Sequence, residues 1–183
     1  MSTPPSGVTP PVAAGQPSYT PQSATQSAFP LAPPLEVSEW LNTPQPITLE
    51  GLRGRVVLLH TFQMLCPGCV SYGNPQASKA WSMFGANEGG ALAVIGLHTV
   101  FEHHAVMGPQ ALRVFLHEYK LPFPVGIDMP GEGGGLPRTM RAYDLGGTPS
   151  TVLIDKGGRI RLSHLGRIDD MALGAVIGQL LSE

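Results

Sequence analysis

The sequence predicts an α/β fold with a mixed central sheet that carries an antiparallel hairpin at one edge. Short apolar runs rich in β-branched residues alternate with segments whose apolar residues recur at helical spacing. Near the end, two strand-like runs at 150–155 and 159–165 flank Lys156-Gly157-Gly158, a typical hairpin turn. A closing helix then begins at Asp169 or Asp170, since aspartate is a favoured N-cap.

Residues 1–35 are predicted to be a disordered, proline-rich arm, and residues 36–183 to be the folded domain. The arm holds nine of the 19 prolines and has no charged residue. Its few apolar residues follow no pattern, so it buries too little surface to offset the entropy lost on ordering.

The first half of the domain predicts two strands and one helix. A short amphipathic segment at 37–41 is followed by a short strand at 47–49. Residues 56–62 are mostly apolar and rich in β-formers, which predicts a buried strand. A helical pattern begins at Cys66, and Pro75 is expected to kink it.

The second half continues the alternation of strands and helices. Residues 91–100 form an apolar run that predicts a strand. Pro109 is well suited to a first helical position, and the helix that it begins is expected to run through Lys120. A short strand at 123–128, a glycine-rich loop and a helix at 138–145 are predicted to follow.

Composition narrows the range of functions. The formal net charge is −2, 13% of the residues are charged and 42% are hydrophobic. No basic block stands out, so neither nucleic acid nor an anionic membrane is predicted as a partner. No apolar run approaches the roughly 20 residues of a membrane-spanning helix. The first basic residue is Arg53, which is unlike a secretory signal, and a cytoplasmic location is expected.

Both cysteines lie in one motif, Cys66-Pro67-Gly68-Cys69. A secreted scaffold distributes several cysteines along the chain, whereas one close pair indicates redox or metal chemistry. Disulfide exchange needs a thiolate, and the free N–H groups at a strand-to-helix junction favour an anion at Cys66. Cys69 lies one turn further on, close enough to attack a mixed disulfide, and Pro67 suits the first helical turn.

Two other interpretations of the motif stay open at this point. A zinc site would need two ligands besides Cys66 and Cys69. The histidines His98, His103 and His104 cluster in the sequence, but without a recognisable ligand spacing. An inert pair of buried cysteines is the second interpretation. Neither a metal nor a cofactor is predicted.

Two stretches carry a resemblance to a known family. Residues 57–69 (VLLHTFQMLCPGC) precede a kinking proline, and residues 148–155 (TPSTVLID) lead into the turn of the hairpin. Together they resemble the thioredoxin superfamily, and more narrowly its TlpA/ResA-type and AhpC/TSA-type redoxin branch. The resemblance covers about residues 35–183 and implies a thioredoxin-like fold.

The resemblance also implies a role for each matching residue. Cys66 attacks a disulfide, Cys69 resolves the adduct, and Pro149 forms the family's cis peptide bond with Thr148. The backbone of Thr148 would lie beside the sulfurs, where relatives pair with an extended substrate segment. The expected activity is that of a thiol–disulfide oxidoreductase, acting as a disulfide reductase. Its expected partners are a protein or small-molecule disulfide and an unidentified thiol reductant.

The sequence departs from the family pattern near the cysteines. Many relatives have tryptophan before the first cysteine, where this chain has Leu65. Thioredoxin has a buried aspartate six residues before it, where this chain has His60. An imidazole there is a candidate to accept the Cys69 proton, and a hydrogen-bonded core histidine is the alternative. Pro67-Gly68 is expected to tune the redox potential.

Two further functions are weighed against disulfide reduction. A peroxidase of the peroxiredoxin type has a threonine three residues before its reactive cysteine; here Gln63 is at that position and Thr61 lies five before. A copper-binding or adaptor module is the other alternative, with Met64 joining the cysteines as a soft ligand. Met64 is otherwise expected to be a packing residue.

Overall fold

The computed structural model describes residues 28–85 and 90–183 of the chain. Most of the predicted arm, residues 1–27, lies outside the described residues. The strands are β1 (Val37–Leu41), β2 (Val56–Phe62), β3 (Leu92–His98), β4 (Val125–Asp128), β5 (Ser150–Ile154) and β6 (Ile160–Leu165).

The helices connect these strands in the predicted alternation. Cys69–Gly73 and Trp81–Gly85 are π-helical turns on either side of the first α-helix, and Glu50–Leu52, His104–Val106 and Glu132–Gly134 are short 3-10 helices. The α-helices are α1 (Asn74–Ala80), α2 (Pro109–Glu118), α3 (Arg138–Ala142) and α4 (Asp170–Ser182).

The strands form one six-stranded mixed sheet in the order β1-β4-β3-β2-β5-β6. Strand β2 lies inside the sheet, pairs with β3 in parallel and with β5 antiparallel, and has all seven residues buried. The β5–β6 hairpin forms one edge, as predicted. The other edge is β1, which pairs antiparallel with β4. The α/β class and the thioredoxin-like arrangement are thereby confirmed.

The core has two parts, one on each face of the sheet, because successive side chains of a strand point in opposite directions. Leu58 and Phe62 of β2 pack in one part, together with Cys69 and residues of α1, α2 and α4. Val57 and Leu59 pack in the other, together with residues of α3. The Cys69 sulfur is therefore part of the hydrophobic core.

Two local predictions differ from the structure. Residues 47–49 are not a strand; they follow Pro46, which cannot donate to a sheet, and lead into a 3-10 helix. Pro75 was expected to kink a helix, but it lies in the first turn of α1, and the helical winding is irregular just before it. The N–H of Asn74 bonds to the carbonyl of Cys69, five residues back, so the chain is wound as a π-helical turn where the proline lacks a donor.

The folded part begins earlier than residue 36, where the sequence analysis placed it. The carbonyl of Pro30 accepts from Ile160 N at 2.9 Å, and Ala32 N donates to Gly158 O at 2.9 Å. The Tyr143 hydroxyl donates to a carbonyl in the same segment, at 2.7 Å. Residues 29–33 thus continue the sheet contacts beyond the hairpin turn. Among the described helices, none has the length and apolar character to cross a membrane.

Candidate active site

Cys66 lies where β2 gives way to a helix, after the three-residue turn that follows Phe62. Its N–H donates to the carbonyl of Gln63 at 3.3 Å, and its own carbonyl accepts from Val70 N at 3.1 Å. The N–H of Cys69 donates to the Cys66 sulfur at 3.2 Å. Because a donor stabilises negative charge on the sulfur, this geometry suits a nucleophile at Cys66.

The two cysteines, both present as thiols, differ in their access to solvent. Cys66 is partly exposed, whereas Cys69 has no exposed surface. Burial is the largest cause that raises the pKa of the Cys69 thiol above its usual value, and the hydrogen bond with Cys66 raises it further. The pair therefore has one thiol that a partner can reach and one that stays protonated in the core.

The Thr148–Pro149 peptide bond is cis, as the family resemblance implied. The Thr148 carbonyl accepts from the Cys66 thiol, with 3.4 Å between sulfur and oxygen. The helix packs directly on the proline ring: a β-carbon at Gly68 would lie 3.2 Å from Pro149 Cδ, and one at Gly73 would lie 3.0 Å from Pro149 Cβ. Thr148 and Pro149 thus lie beside the cysteine motif, and a side chain at Gly68 would require the Pro149 ring to shift by a few tenths of an ångström.

His60 is buried in β2, with its ring stacked on Phe62 at a centroid distance of 5.6 Å. Its Nε2 donates to Oδ1 of Asn74 at 2.8 Å. Burial lowers the pKa of His60 to about 4, and burial raises the pKa of Cys69. Transfer of a proton from Cys69 to His60 is therefore uphill, which favours the hydrogen-bonded core role over the role of proton acceptor.

The residues named for a peroxidase or a copper site already have other partners. The Thr61 hydroxyl is buried and donates to the Ser150 carbonyl at 3.4 Å. Gln63 is buried, donates to Glu102 and accepts from a loop N–H. Met64 packs in the core, 6% exposed.

The alternative interpretation of the motif as a zinc site gains no support from the described part of the chain. Within residues 28–85 and 90–183, no group of three or more His, Cys, Asp or Glu side chains is arranged to hold a metal ion. His98 is buried at the end of β3, whereas His103 and His104 are exposed on the loop that follows.

Several residues of the site were not singled out from the sequence. Asn74 is buried against His60, and Gly73 lies beside both His60 and Pro149. On the opposite side of Pro149, Gly166 N donates to the Pro149 carbonyl at 2.7 Å. In the sequence, Gly73 and Asn74 directly precede Pro75, and this placement is the local signal that could have marked them as residues of interest.

A Cys-x-x-Cys pair at the start of a helix, beside a cis proline at one end of a mixed sheet, defines a thioredoxin-fold protein with a dithiol site. Solved structures agree with this class. A thioredoxin-like superfamily protein is 50% identical, with a TM-score of 0.80 over 84% of this chain and 97% of that one. A thiol-disulfide isomerase from Corynebacterium glutamicum is also 50% identical, with a TM-score of 0.79 over 86% of this chain and 99% of that one. The chain belongs to the thioredoxin-like superfamily.

More distant comparisons agree with the fold. A putative thiol:disulfide interchange protein DsbE from Chlorobium tepidum is 23% identical, with a TM-score of 0.65 over 84% of this chain and 96% of that one. Protein DipZ from Mycobacterium bovis is 28% identical over 155 residues, which are 83% of this chain. The chain spans about a fifth of DipZ, since the match covers 21% of that protein. No family model matches the chain.

Proposed function

We propose that this protein is a thiol–disulfide oxidoreductase that reduces disulfides, with Cys66 as the attacking and Cys69 as the resolving thiol. The observation that carries the proposal is the asymmetry of the pair. Cys66 is partly exposed and receives the Cys69 N–H at 3.2 Å, whereas Cys69 is fully buried one turn away. A solved relative with 50% identity is named a thiol-disulfide isomerase, which supports the same chemistry.

In the first step, the Cys66 thiolate attacks one sulfur of the substrate disulfide. The substrate S–S bond breaks, a mixed disulfide forms between Cys66 and the substrate, and the other substrate sulfur leaves as a thiolate. Partial exposure of Cys66 admits the substrate. The Thr148 carbonyl, 3.4 Å from the Cys66 sulfur, offers a backbone acceptor beside the new bond.

In the second step, Cys69 attacks the Cys66 sulfur of the mixed disulfide. The Cys69 thiol gives up its proton, the Cys66–substrate bond breaks, and the second substrate thiolate leaves. Because burial raises the pKa of Cys69, this thiol stays protonated until the mixed disulfide is in place. The departing thiolates are the natural acceptors of its proton. The products are two substrate thiols and a Cys66–Cys69 disulfide.

A thiol reductant must then return the Cys66–Cys69 disulfide to the dithiol. The reductase direction follows from the expectation of a cytoplasmic, reducing location. In an oxidising compartment the same pair would run the exchange in the opposite direction. The redox equilibrium of the pair against glutathione, measured on the full chain, decides the direction: a strongly reducing value supports a reductase, and an oxidising value contradicts it.

A matched pair of single-cysteine variants tests the roles of the two thiols. Cys69→Ser is expected to form a stable mixed disulfide with a peptide disulfide, because the resolving thiol is missing. Cys66→Ser has the same number of thiols, and its buried Cys69 is expected to form no such adduct. The adducts are detected by mass spectrometry after acid quenching. Equal adduct formation by both variants, or adducts on Cys69, would contradict the proposed order.

A further inference from the structure

One feature beside the cysteines has no part in the exchange chemistry itself. The guanidinium of Arg167 lies over the ring of Tyr72, 4.7 Å from its centroid. The pair lines a cavity of about 280 Å³, together with Ser71, Pro75, Gln76, Lys79 and the carboxylate Asp170, which is paired with Lys79. The cavity is large enough for one side chain of a bound partner.

This pair projects from backbone next to Pro149, on a surface that we call the rim. Tyr72 belongs to the helical turn that follows the cysteines, and its neighbour Gly73 approaches the Pro149 ring. Arg167 directly follows Gly166, whose N–H donates to the Pro149 carbonyl at 2.7 Å. Both side chains therefore extend from backbone that contacts the proline next to the reactive sulfur.

Arg167 makes no close ion pair in the described part of the chain, although it lies near Asp170: the hydrogen bond from Lys79 is the main cause that lowers the pKa of that carboxyl, and the Arg167 charge contributes. Within the described ranges 28–85 and 90–183, the salt bridges with N–O distances up to 4.0 Å do not include Arg167. The nearby carboxylates are already engaged. Asp170 pairs with Lys79 at 2.9 Å, and Asp169 caps α4 by accepting from two backbone N–H groups. An incoming carboxylate would thus meet an available guanidinium.

The same rim carries apolar side chains that project into solvent. Leu65 is 58% exposed, Tyr72 is 49% exposed and Leu165 is 54% exposed. Leu65 directly precedes Cys66, whereas Leu165 comes from the end of β6, which pairs with Ser150. Leu65 adjoins the cysteine side of the Cys66–Thr148 contact, and the Leu165 side chain lies beside Gly147 on the other side, so covering both takes several residues of a partner.

We propose that Tyr72 and Arg167 form a subsite for an acidic side chain of a polypeptide disulfide substrate, close in sequence to the cysteine that Cys66 attacks. The inference rests on the proposed function and adds its substrate preference. A polypeptide fits because the cavity takes one side chain while Leu65 and Leu165 contact its neighbours. A small disulfide would leave most of this rim uncovered.

This subsite can be tested with peptide disulfides that differ from one another only in the charge of one side chain near the cysteine. Homodimeric disulfides of short peptides are prepared with glutamate, glutamine or lysine at each position on either side of the cysteine. Because both halves are identical, it does not matter which sulfur is attacked. The prereduced full chain is mixed with each peptide, and the second-order rate of peptide thiol release is measured. At one or more positions glutamate is expected to react about two- to fivefold faster than glutamine, the range of an exposed ion pair.

Three variants assign the preference to Arg167. Arg167→Gln is expected to bring the glutamate-to-glutamine rate ratio close to one, and Arg167→Glu to make the lysine peptide the faster substrate. Arg167→Lys should retain the preference for glutamate. Lys120→Gln removes the same charge from an exposed position in the turn after α2 and should keep the ratio of the unaltered chain. Added salt should reduce the ratio.

The outcomes separate this inference from the proposed function. If the unaltered chain reduces none of the peptides, the proposed function fails. If it reduces all of them at equal rates, or if the preference survives in Arg167→Glu, the subsite is wrong and the function stands. A dependence on Arg167 seen with glutathione disulfide but with none of the peptides would overturn the assignment to a polypeptide.

Discussion

The imidazole of His60 and the side-chain amide of Asn74 form a buried pair, with 2.8 Å between Nε2 and Oδ1 and each residue 1% exposed. The pair joins the central strand β2 to the first residue of α1, directly behind the cysteines. It occupies the place where thioredoxin has an ionisable aspartate, but it brings no charge there at neutral pH, because burial lowers the pKa of His60 to about 4.

Replacing His60 tests whether this imidazole takes part in proton transfer. In His60→Asn, the pH titration of thiolate absorbance is expected to keep its position, because the neutral imidazole is too weak a base for the Cys69 proton. Cys66→Ser is the control that shows which part of the signal belongs to Cys66. A clear shift of the titration in His60→Asn would restore a functional role for the imidazole.

The pH dependence of stability should reveal the two buried histidines. Burial lowers the pKa of His60 and of His98 to about 4, whereas both return to about 6.5 on unfolding. Between these values the unfolded chain binds up to two more protons than the folded one. The histidine contribution to the free energy of unfolding is therefore complete above pH 6.5 and is lost as the pH falls towards about 4.

The variant His98→Leu isolates one of these contributions. In the described part of the chain, the buried Nε2 of His98 has no hydrogen-bond partner, so leucine removes both a buried polar atom and a proton-binding site. Urea unfolding at several pH values across this window gives the free energy of unfolding. In His98→Leu this free energy should fall less steeply with decreasing pH, with a slope that corresponds to the uptake of up to one proton fewer per molecule. His117→Gln, at an exposed position, is the control. An unchanged slope in His98→Leu would contradict the assignment.

A methyl group at Gly73 should disturb the packing of the helix against His60 and Pro149. Its β-carbon would lie 2.6 Å from Cε1 of His60 and 3.0 Å from Cβ of Pro149, closer than packed atoms tolerate. Gly73→Ala is therefore expected to lower the free energy of unfolding by about 1–3 kcal/mol and to slow disulfide exchange. In Gly178→Ala, the new β-carbon meets no atom within 4 Å, and about 0.5–1 kcal/mol of stabilisation is expected. Similar effects of both substitutions in chemical denaturation would rule out the close approach.

The start of the folded part can be tested with two shortened chains. A chain that begins at residue 28 keeps the hydrogen bonds of Pro30 and Ala32 to the hairpin and that of Tyr143 to Pro33. A chain that begins at residue 36 loses these three bonds and the one from Arg159 to the Phe29 carbonyl, and should be less stable by about 4 kcal/mol, at about 1 kcal/mol for each bond. Urea unfolding compares the two chains, and Tyr143→Phe in the longer one should account for about one such bond. Equal stability of the two chains would mean that the folded domain begins at residue 36.

Local signals in the sequence predicted most of the site. The position of Cys66 at a strand-to-helix junction follows from the apolar run before it and the helical pattern after it. The cis bond at Pro149 came from the family resemblance, and it is confirmed. The hairpin followed from its glycine turn, and Asp169 caps α4 as predicted. Each of these features depends on residues that are close together in the sequence.

The features that the sequence did not predict depend on contacts between distant segments. The antiparallel pairing of β1 with β4 joins residues such as Leu41 and Val125. The ordered residues before position 36 are held by the hairpin near residue 158, which no local pattern indicates. The pairing of His60 with Asn74 depends on how the helix crosses β2. Composition alone predicted that the whole proline-rich segment is disordered, although its last residues pack on the domain.

The end of β6 has a consequence for how such proteins diverge. Leu165 and Arg167 flank Gly166, whose N–H is bonded to the Pro149 carbonyl, while the two thiols come from a helix about a hundred residues earlier in the chain. The rim is therefore encoded in two segments, with Leu65 and Tyr72 next to the reactive cysteines and Leu165 and Arg167 at the end of the hairpin. Under the proposed subsite, point mutations at Leu165 or Arg167 would change which side chains the rim accepts and leave the Cys66–Cys69 motif untouched, so substrate preference and thiol chemistry could change independently.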